Sequence, residues 1–287
     1  MKRKRTDKVT KISEMYKKNV DNVTQIIETG EYTRFLKFCK NFHNYSFNNM
    51  VLIYSQMEDA TQVAGFKAWQ NMGRKIKPGA RGLQIMYPIK RKYTKEIEGQ
   101  SSLMEDTEKK KEVVEYLTFR PTYVFDISQT TGEKLSMIEQ RLNNDSMKEF
   151  YELLKHFSRY HILEKELYGT CQGYWSPKNK HIVLKKSLSI DDKTSVLLHE
   201  LTHALYDDFE YKTQRDLSET FVESVAFIVA DYFGLDTSMC SFPYITSWAK
   251  GDIKIVLELG DKIQKTANDF IKKLTSEFEN QNIRIAG

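Results

Sequence analysis

Apolar residues recur at helical spacing through the first sixty positions. Val20, Val23, Ile26 and Ile27 are followed by Phe35, Leu36, Phe38 and Cys39, then by Met50, Val51, Ile53 and Tyr54. Positions three and four apart share one helix face, so the pattern predicts three helices between about residues 19 and 57. Gly30 divides the first from the second, and Asn41-Phe-His-Asn44 the second from the third, with Ser46 placed to cap the third. Phe66 to Met72 reads as a fourth, short helix closed by Gly73. Residues 1–18 are mostly polar and basic, which predicts a flexible arm. The period then changes. Leu83-Gln-Ile85-Met-Tyr87 and the segment Thr118–Ile127 carry branched and aromatic residues typical of strands. Residues 95–115 are too polar to pack and predict a mobile hairpin loop. Gly132 marks the end of a first module.

Beyond it, Met147, Phe150, Leu153, Leu154 and Phe157 extend a helical pattern over 134–165. Gly173–Lys180 reads as a turn into a strand, His181-Ile-Val-Leu184, expected to be a substrate-binding edge. Asp191-Asp192 is placed to cap the next helix, where acidic residues suit the positive end of the helix dipole. A further helix covers Leu217–Phe233 before Gly234, and an amphipathic one about 254–279. The expected class is α+β. A basic arm (1–18) precedes a domain of helices and a β-hairpin (19–133), followed by a second domain (134–287).

Charge sharpens this division. Residues 1–95 hold 20 Lys and Arg against 7 Asp and Glu, whereas the remainder holds 24 against 32. A basic front joined to an acidic back suggests modules with different partners, the front one a candidate for nucleic acid. Aromatic and cationic residues interleave there: Phe42, His43, Tyr45, Phe47, Tyr54, Phe66, Lys67 and Trp69, then Arg74, Lys75, Lys77 and Arg81. Single strands are held by stacking bases on aromatic rings and tracking phosphates with cations. Tyr45, Asn48, Lys67, Trp69, Arg74, Lys75, Lys77 and Arg81 are the candidate contacts to a single-stranded nucleic acid. No apolar run is long enough for a membrane span, and no apolar segment follows the basic N-terminus as a secretion signal requires. Cys39, Cys171 and Cys240 lack C-x-x-C spacing and read as reduced thiols of a cytoplasmic protein.

The strongest chemical signal is His199-Glu200-Leu-Thr-His203, set in an apolar helix. Histidines at i and i+4 offer two imidazoles to one metal ion, and Glu200 projects beside it as a base. A catalytic zinc site needs three protein ligands and one open position. Glu219 and Glu223 lie on one face of the following helix. Glu223 is favoured as the third ligand because Val225, Ala226 and Phe227 surround it in sequence. Glu219 is then a hydrogen-bond partner of an imidazole, or the alternative ligand, and Asp216 is better explained as a helix cap. Such a site would activate water for hydrolysis of a peptide or protein whose identity the sequence does not reveal. Tyr206, Tyr211, Tyr232 and His181 are candidate donors to a developing oxyanion.

Together these residues resemble the ArdC-type antirestriction proteins of mobile elements. In front, the resemblance rests on Tyr45-Ser-Phe-Asn48-Asn-Met-Val-Leu52-Ile, on Gly65–Gly82 with its Phe-Lys-Ala-Trp69 core, and on Tyr123–Gln129. Behind, it rests on the H-E-x-x-H helix, Glu219-Thr-Phe-Val-Glu223-Ser-Val-Ala and Phe233-Gly-Leu-Asp, which are also similar to the wider ImmA/IrrE group of metallopeptidases. The resemblance implies an N-terminal single-stranded-DNA-binding domain and a zincin-like metallopeptidase domain holding one catalytic Zn2+. It also implies protection of incoming DNA during conjugation. Similar chains often carry an acidic residue where this one has Phe221.

Overall fold

The computed structural model describes residues 2–97, 110–133, 146–206, 211–235 and 253–280. Helix α1 spans Lys2–Glu28 and takes in the predicted arm. Ile12 and Met15 extend the apolar stripe of Val23, Ile26 and Ile27 backward, and Met15 is buried against Leu52 and Met86. The lysines crowded around these two positions hid the stripe in the sequence. Helices α2 (Tyr32–Cys39) and α3 (Phe47–Gln56) follow, and Ser46 accepts the Asn49 N–H as predicted. Helix α4 is Phe66–Asn71.

Strands β1 (Val63–Ala64) and β2 (Lys75–Ile76) are short. Strands β3 (Leu83–Ile97) and β4 (Lys110–Asp126) form a long hairpin, in register from Leu83↔Val124 to Ile97↔Lys110. The predicted loop 95–115 is thus strand at both ends, and its centre, 98–109, lies outside the described residues. β1 pairs with β4, and β2 with β5 (Thr130–Thr131). The free edge of β3 is closed by two amide side chains of α3. Asn49 bonds both backbone groups of Met86 at 2.9 Å, and Gln56 bonds both of Gln84 at 2.9 and 3.0 Å. Covering a strand edge in this way satisfies its backbone and blocks further pairing.

In the back half, α5 (Ser146–Phe157) stops short of the predicted helical run, and β6 (His161–Lys165) takes its end. β6 runs parallel to β8 (His181–Lys185), and β7 (Gly173–Ser176) antiparallel to it. β8 is therefore the central strand and not the expected edge; Ile182, Val183 and Leu184 are all buried, as befits a strand covered on both faces. The edge nearest the H-E-x-x-H helix is β7. That helix, α6 (Ile190–Tyr206), is capped by Ser189, whose Oγ accepts the Asp192 N–H at 3.1 Å. Asp191 and Asp192 lie in the first turn instead. Helix α7 (Tyr211–Tyr232) is kinked at Gln214, and α8 is Ile253–Asn280. No described helix is long and apolar enough to cross a membrane.

One apolar core runs through front and back alike, from Val23, Phe35 and Phe47 to Phe233, Phe270 and Phe278. Polar contacts cross the same junction. Tyr32 and Ser224 hydroxyls meet at 3.0 Å, Lys40 pairs with Asp231 at 3.1 Å, and the Gln264 amide donates to the carbonyls of Phe42 and His43 at 3.3 and 2.5 Å.

Candidate metal centre and nucleic-acid surface

The helical period of α6 sets His199 and His203 on one face, and their Nε2 atoms stand 3.1 Å apart. From α7, Oε2 of Glu219 lies 3.6 Å from each. Ligands about 2.0–2.2 Å from a tetrahedral ion stand about 3.3 Å from one another, so this triangle has the dimensions of a three-ligand site. Among the described residues these three form the cluster suited to a metal ion. The two imidazoles hold the Glu219 carboxyl well below the usual range, an anionic ligand ready for a cation. Glu223 is outside the cluster. Burial pushes its carboxyl up, and its Oε2 is buried without a hydrogen-bond partner among the described residues. The carboxylate brought to the imidazoles is thus that of Glu219, whereas the sequence favoured Glu223. Local apolarity favoured Glu223, but the angle at which α7 meets α6 decides which turn faces the imidazoles.

Glu200 is buried, and its Oε2 accepts the Trp175 N–H of β7 at 2.7 Å. Burial raises its carboxyl, against the pull of both imidazoles and that N–H. Trp175 packs on Tyr160 with ring centroids 4.4 Å apart, and Tyr160 donates to the Ala204 carbonyl at 3.2 Å. Neither residue was singled out in the sequence. A backbone N–H carries no side-chain signature, and only pairing β7 against β8 delivers it to Glu200. Of the candidate oxyanion donors, Tyr206 is engaged with Asp269 Oδ2 at 3.0 Å. The Tyr232 ring stands edge-on to His43, 5.2 Å away, His181 begins β8, and the Tyr211 side chain lies outside the description. Asp216 is exposed and outside the cluster.

The front candidates separate into two groups. Trp69 is fully buried and donates through Nε1 to the Phe125 carbonyl at 2.8 Å. Arg74 is buried, bonded to Thr130 Oγ1 at 2.7 Å and to the Glu133 carbonyl. Both side chains are thus turned into the fold, at the end of β4 and beside the β2–β5 pairing, and are not presented at the surface. Tyr45 donates to the Val63 carbonyl at 3.0 Å and is half-buried, and Asn48 accepts from Asn19 at 3.1 Å. Lys67, Lys75, Lys77 and Arg81 are exposed, although Lys77 also reaches the Ser128 carbonyl at 2.7 Å.

Residues 3–125 match the family described as the N-terminal domain of anti-restriction factor ArdC. The Mn(II)-bound crystal structure of the antirestriction ArdC protein from the R388 plasmid superposes with a TM-score of 0.54 at 15% identity, covering 92% of this chain and 98% of that one. The fold is that of ArdC. The metal-free structure of the same plasmid protein gives a TM-score of 0.49 at 17% identity, over 82% of this chain and 86% of that one. An uncharacterized Bacillus anthracis protein, pXO2-81, is 28% identical over 279 residues, 84% of this chain. The chain spans about half the length of this curated relative, 47% of it. Within the ArdC fold, the H-E-x-x-H helix and Glu219 lie beyond the segment matched to the N-terminal family.

Proposed function

We propose that this chain is an antirestriction-type protein of a mobile element that binds single-stranded DNA and carries a zinc-dependent metallopeptidase site. The observation that carries the enzymatic part is the convergence of His199, His203 and Glu219 beside a buried Glu200. His199, His203 and Glu219 would hold the ion, and an imidazole–imidazole–carboxylate donor set suits zinc. When bound, such an ion supplies a Lewis acid and lowers the pKa of a coordinated water to about 7. Glu200 would take up a proton on its free carboxylate oxygen while the Trp175 N–H fixes the other. Its raised proton affinity lets it hold the proton and pass it to the leaving amine. Edge strand β7 offers an extended substrate a backbone to pair with next to Glu200. Glu223, one turn from Glu219, backs the site as a half-buried acid.

Glu200→Gln separates binding from chemistry. The variant keeps one bound zinc per chain by metal analysis, and its cleavage of a fluorogenic peptide library falls about 10²–10⁴-fold. Wild-type cleavage that survives the substitution refutes the peptidase reading. A second reading, in which DNA coating is the activity and the metal only supports the fold, is favoured by the core shared between front and back. It predicts that Glu200→Gln leaves protection of single-stranded DNA intact. A protease that cuts a regulator, as in the wider group the sequence resembles, is a third reading.

A further inference from the structure

The hairpin of β3 and β4 leaves one strand edge open. Asn49 and Gln56 take both backbone groups of Met86 and of Gln84, so these residues of β3 point away from β4. Successive residues of an antiparallel strand point to alternate sides. Their register partners Pro121 and Tyr123 therefore point away from β3 in turn, as do Phe119, Leu117, Glu115 and Val113. β1 pairs with this outer side of β4 only at Phe125 and Asp126. Among the described residues, no strand meets the outward N–H and C=O groups between 113 and 119. The edge of β3 is closed by the two side-chain amides, by Pro88 and by exposed Lys90 and Lys92, devices that keep a strand from pairing. The edge of β4 is apolar instead. Val113, Leu117 and Phe119 are 59%, 53% and 37% exposed, and their odd spacing puts them on one face of the hairpin. Open backbone groups beside exposed apolar side chains are a template for another strand.

We propose that the strand received is β4 of a second copy of this chain, antiparallel about a two-fold axis at Tyr116. In that register the segment is complementary to itself. Val113 stands opposite Phe119 of the second copy, Val114 opposite Thr118, and Glu115 opposite Leu117. Arg120 comes opposite position 112, a glutamate. Each of these pairs occurs twice by symmetry. Apolar pairs and opposite charges set directly across two strands favour pairing. The outward residues 113, 115, 117 and 119 exchange the hydrogen bonds, and Pro121, which has no N–H, ends the run. The neighbouring registers are worse. A shift of one residue sets outward groups against groups already bonded to β3. An axis at Glu115 brings two glutamates face to face, which repel. An axis at Leu117 sets Val113 opposite Pro121 and loses a donor. The product is a four-stranded sheet in the order β3, β4, then β4 and β3 of the second copy. It gives the hairpin the neighbours that an isolated two-stranded ribbon lacks.

The test is sedimentation velocity of the full chain over a range of concentrations, in which the wild type is expected to pass from monomer to dimer. Leu117→Pro removes an outward N–H and none that bonds β3, as Pro121 already does, so the hairpin stands and the dimer is lost. Arg120→Glu turns two attractive pairs into repulsive ones and is expected to weaken the dimer roughly tenfold. Glu112→Arg in the same chain restores it. A cross-link reads the register itself. With Cys171 and Cys240 replaced by serine and Cys39 buried, Tyr116→Cys is expected to join two copies under mild oxidation. Residues 116 form the close, non-hydrogen-bonded pair on the axis, within the reach of a disulfide. Val114→Cys in the same background is expected to stay unlinked. A wild type that is monomeric at every concentration overturns the proposal. So does a dimer that persists in Leu117→Pro, a charge swap that restores nothing, or equal cross-linking at 114 and 116.

Discussion

Gly260→Ala is a test of whether front and back are one packed body. In an exposed helix interior, alanine is more stable than glycine by about 0.8–1.0 kcal/mol. At position 260 the added Cβ meets three ring carbons of Phe47 at 2.4, 2.5 and 2.6 Å, where ordinary carbon contacts lie at about 3.5–4.0 Å. The ring must retreat by roughly 1 Å to reach that separation. It has little room, because Phe47 is buried and edge-on to Phe35 with centroids 5.8 Å apart. The adjoining void, lined by Val23, Phe35 and Val256, holds about 10 Å³, the space of a single water at most. Overpacking of this kind costs about 1–3 kcal/mol and exceeds the helix gain. Net of the helix gain, the variant is expected to lose up to about 2 kcal/mol by urea denaturation. Phe47→Leu makes room for the new methyl group, so a double-mutant cycle should show a coupling of about 1 kcal/mol between the sites. A Gly260→Ala protein more stable than wild type would refute the packing of α8 against α3.

Three further outcomes follow from the same contacts. Trp69→Phe removes the donor to the Phe125 carbonyl and part of a fully buried ring; it should cost about 2–3 kcal/mol in denaturant while single-strand affinity of the folded protein is unchanged. Loss of affinity at full stability would return Trp69 to the interface. Glu219→Gln should weaken zinc binding by calorimetry beyond the roughly 10–100-fold typical of an outer partner, and Glu223→Gln should stay within that range; the opposite order would restore Glu223 as ligand. Burial first, opposed by the Lys40 carbonyl, lowers the His43 imidazole below its ordinary 6.5. The folded state then binds fewer protons than the unfolded one, so this contribution is present above pH 6.5 and lost as pH falls below it. Stability measured from pH 7.5 to about 5 should decline less steeply in His43→Gln, and equal slopes would discount the residue.

How much was legible in the sequence depended on the range of the interaction. Helices α2, α3 and α6 were legible because their apolar positions repeat within a few residues, and His199 and His203 because one helix carries both. The Ser46 cap and the hairpin of β3 and β4 are likewise local. What failed was long-range. Choosing between Glu219 and Glu223 needs the crossing of α7 over α6. The central place of β8 follows from its parallel pairing with β6, which leaves no mark in the strand itself. Trp69 and Arg74 looked like a nucleic-acid surface because aromatic and cationic residues have the same composition when buried and bonded to carbonyls.

The charge split between the two halves suggests separable modules, but packing and charge answer different questions. Net charge reports on the surface and its partners, whereas independence requires that each half close its own core. Here Phe35, Phe47 and Ile26 share a core with Val256, Leu259 and Phe233, and the Phe42 and His43 carbonyls take their donor from Gln264. A fragment ending at residue 133 would expose those rings and leave the two carbonyls without that donor. Its failure to bind DNA would report on folding before it reported on the interface. Helix α8 is the element that makes the two halves interdependent. Gly260 admits Phe47, Gln264 caps the turn after α2, and Asp269 holds Tyr206 at the end of the helix that carries His199 and His203. A substitution along α8 is therefore expected to reach both surfaces through stability, and function at either one is best compared among variants of equal stability.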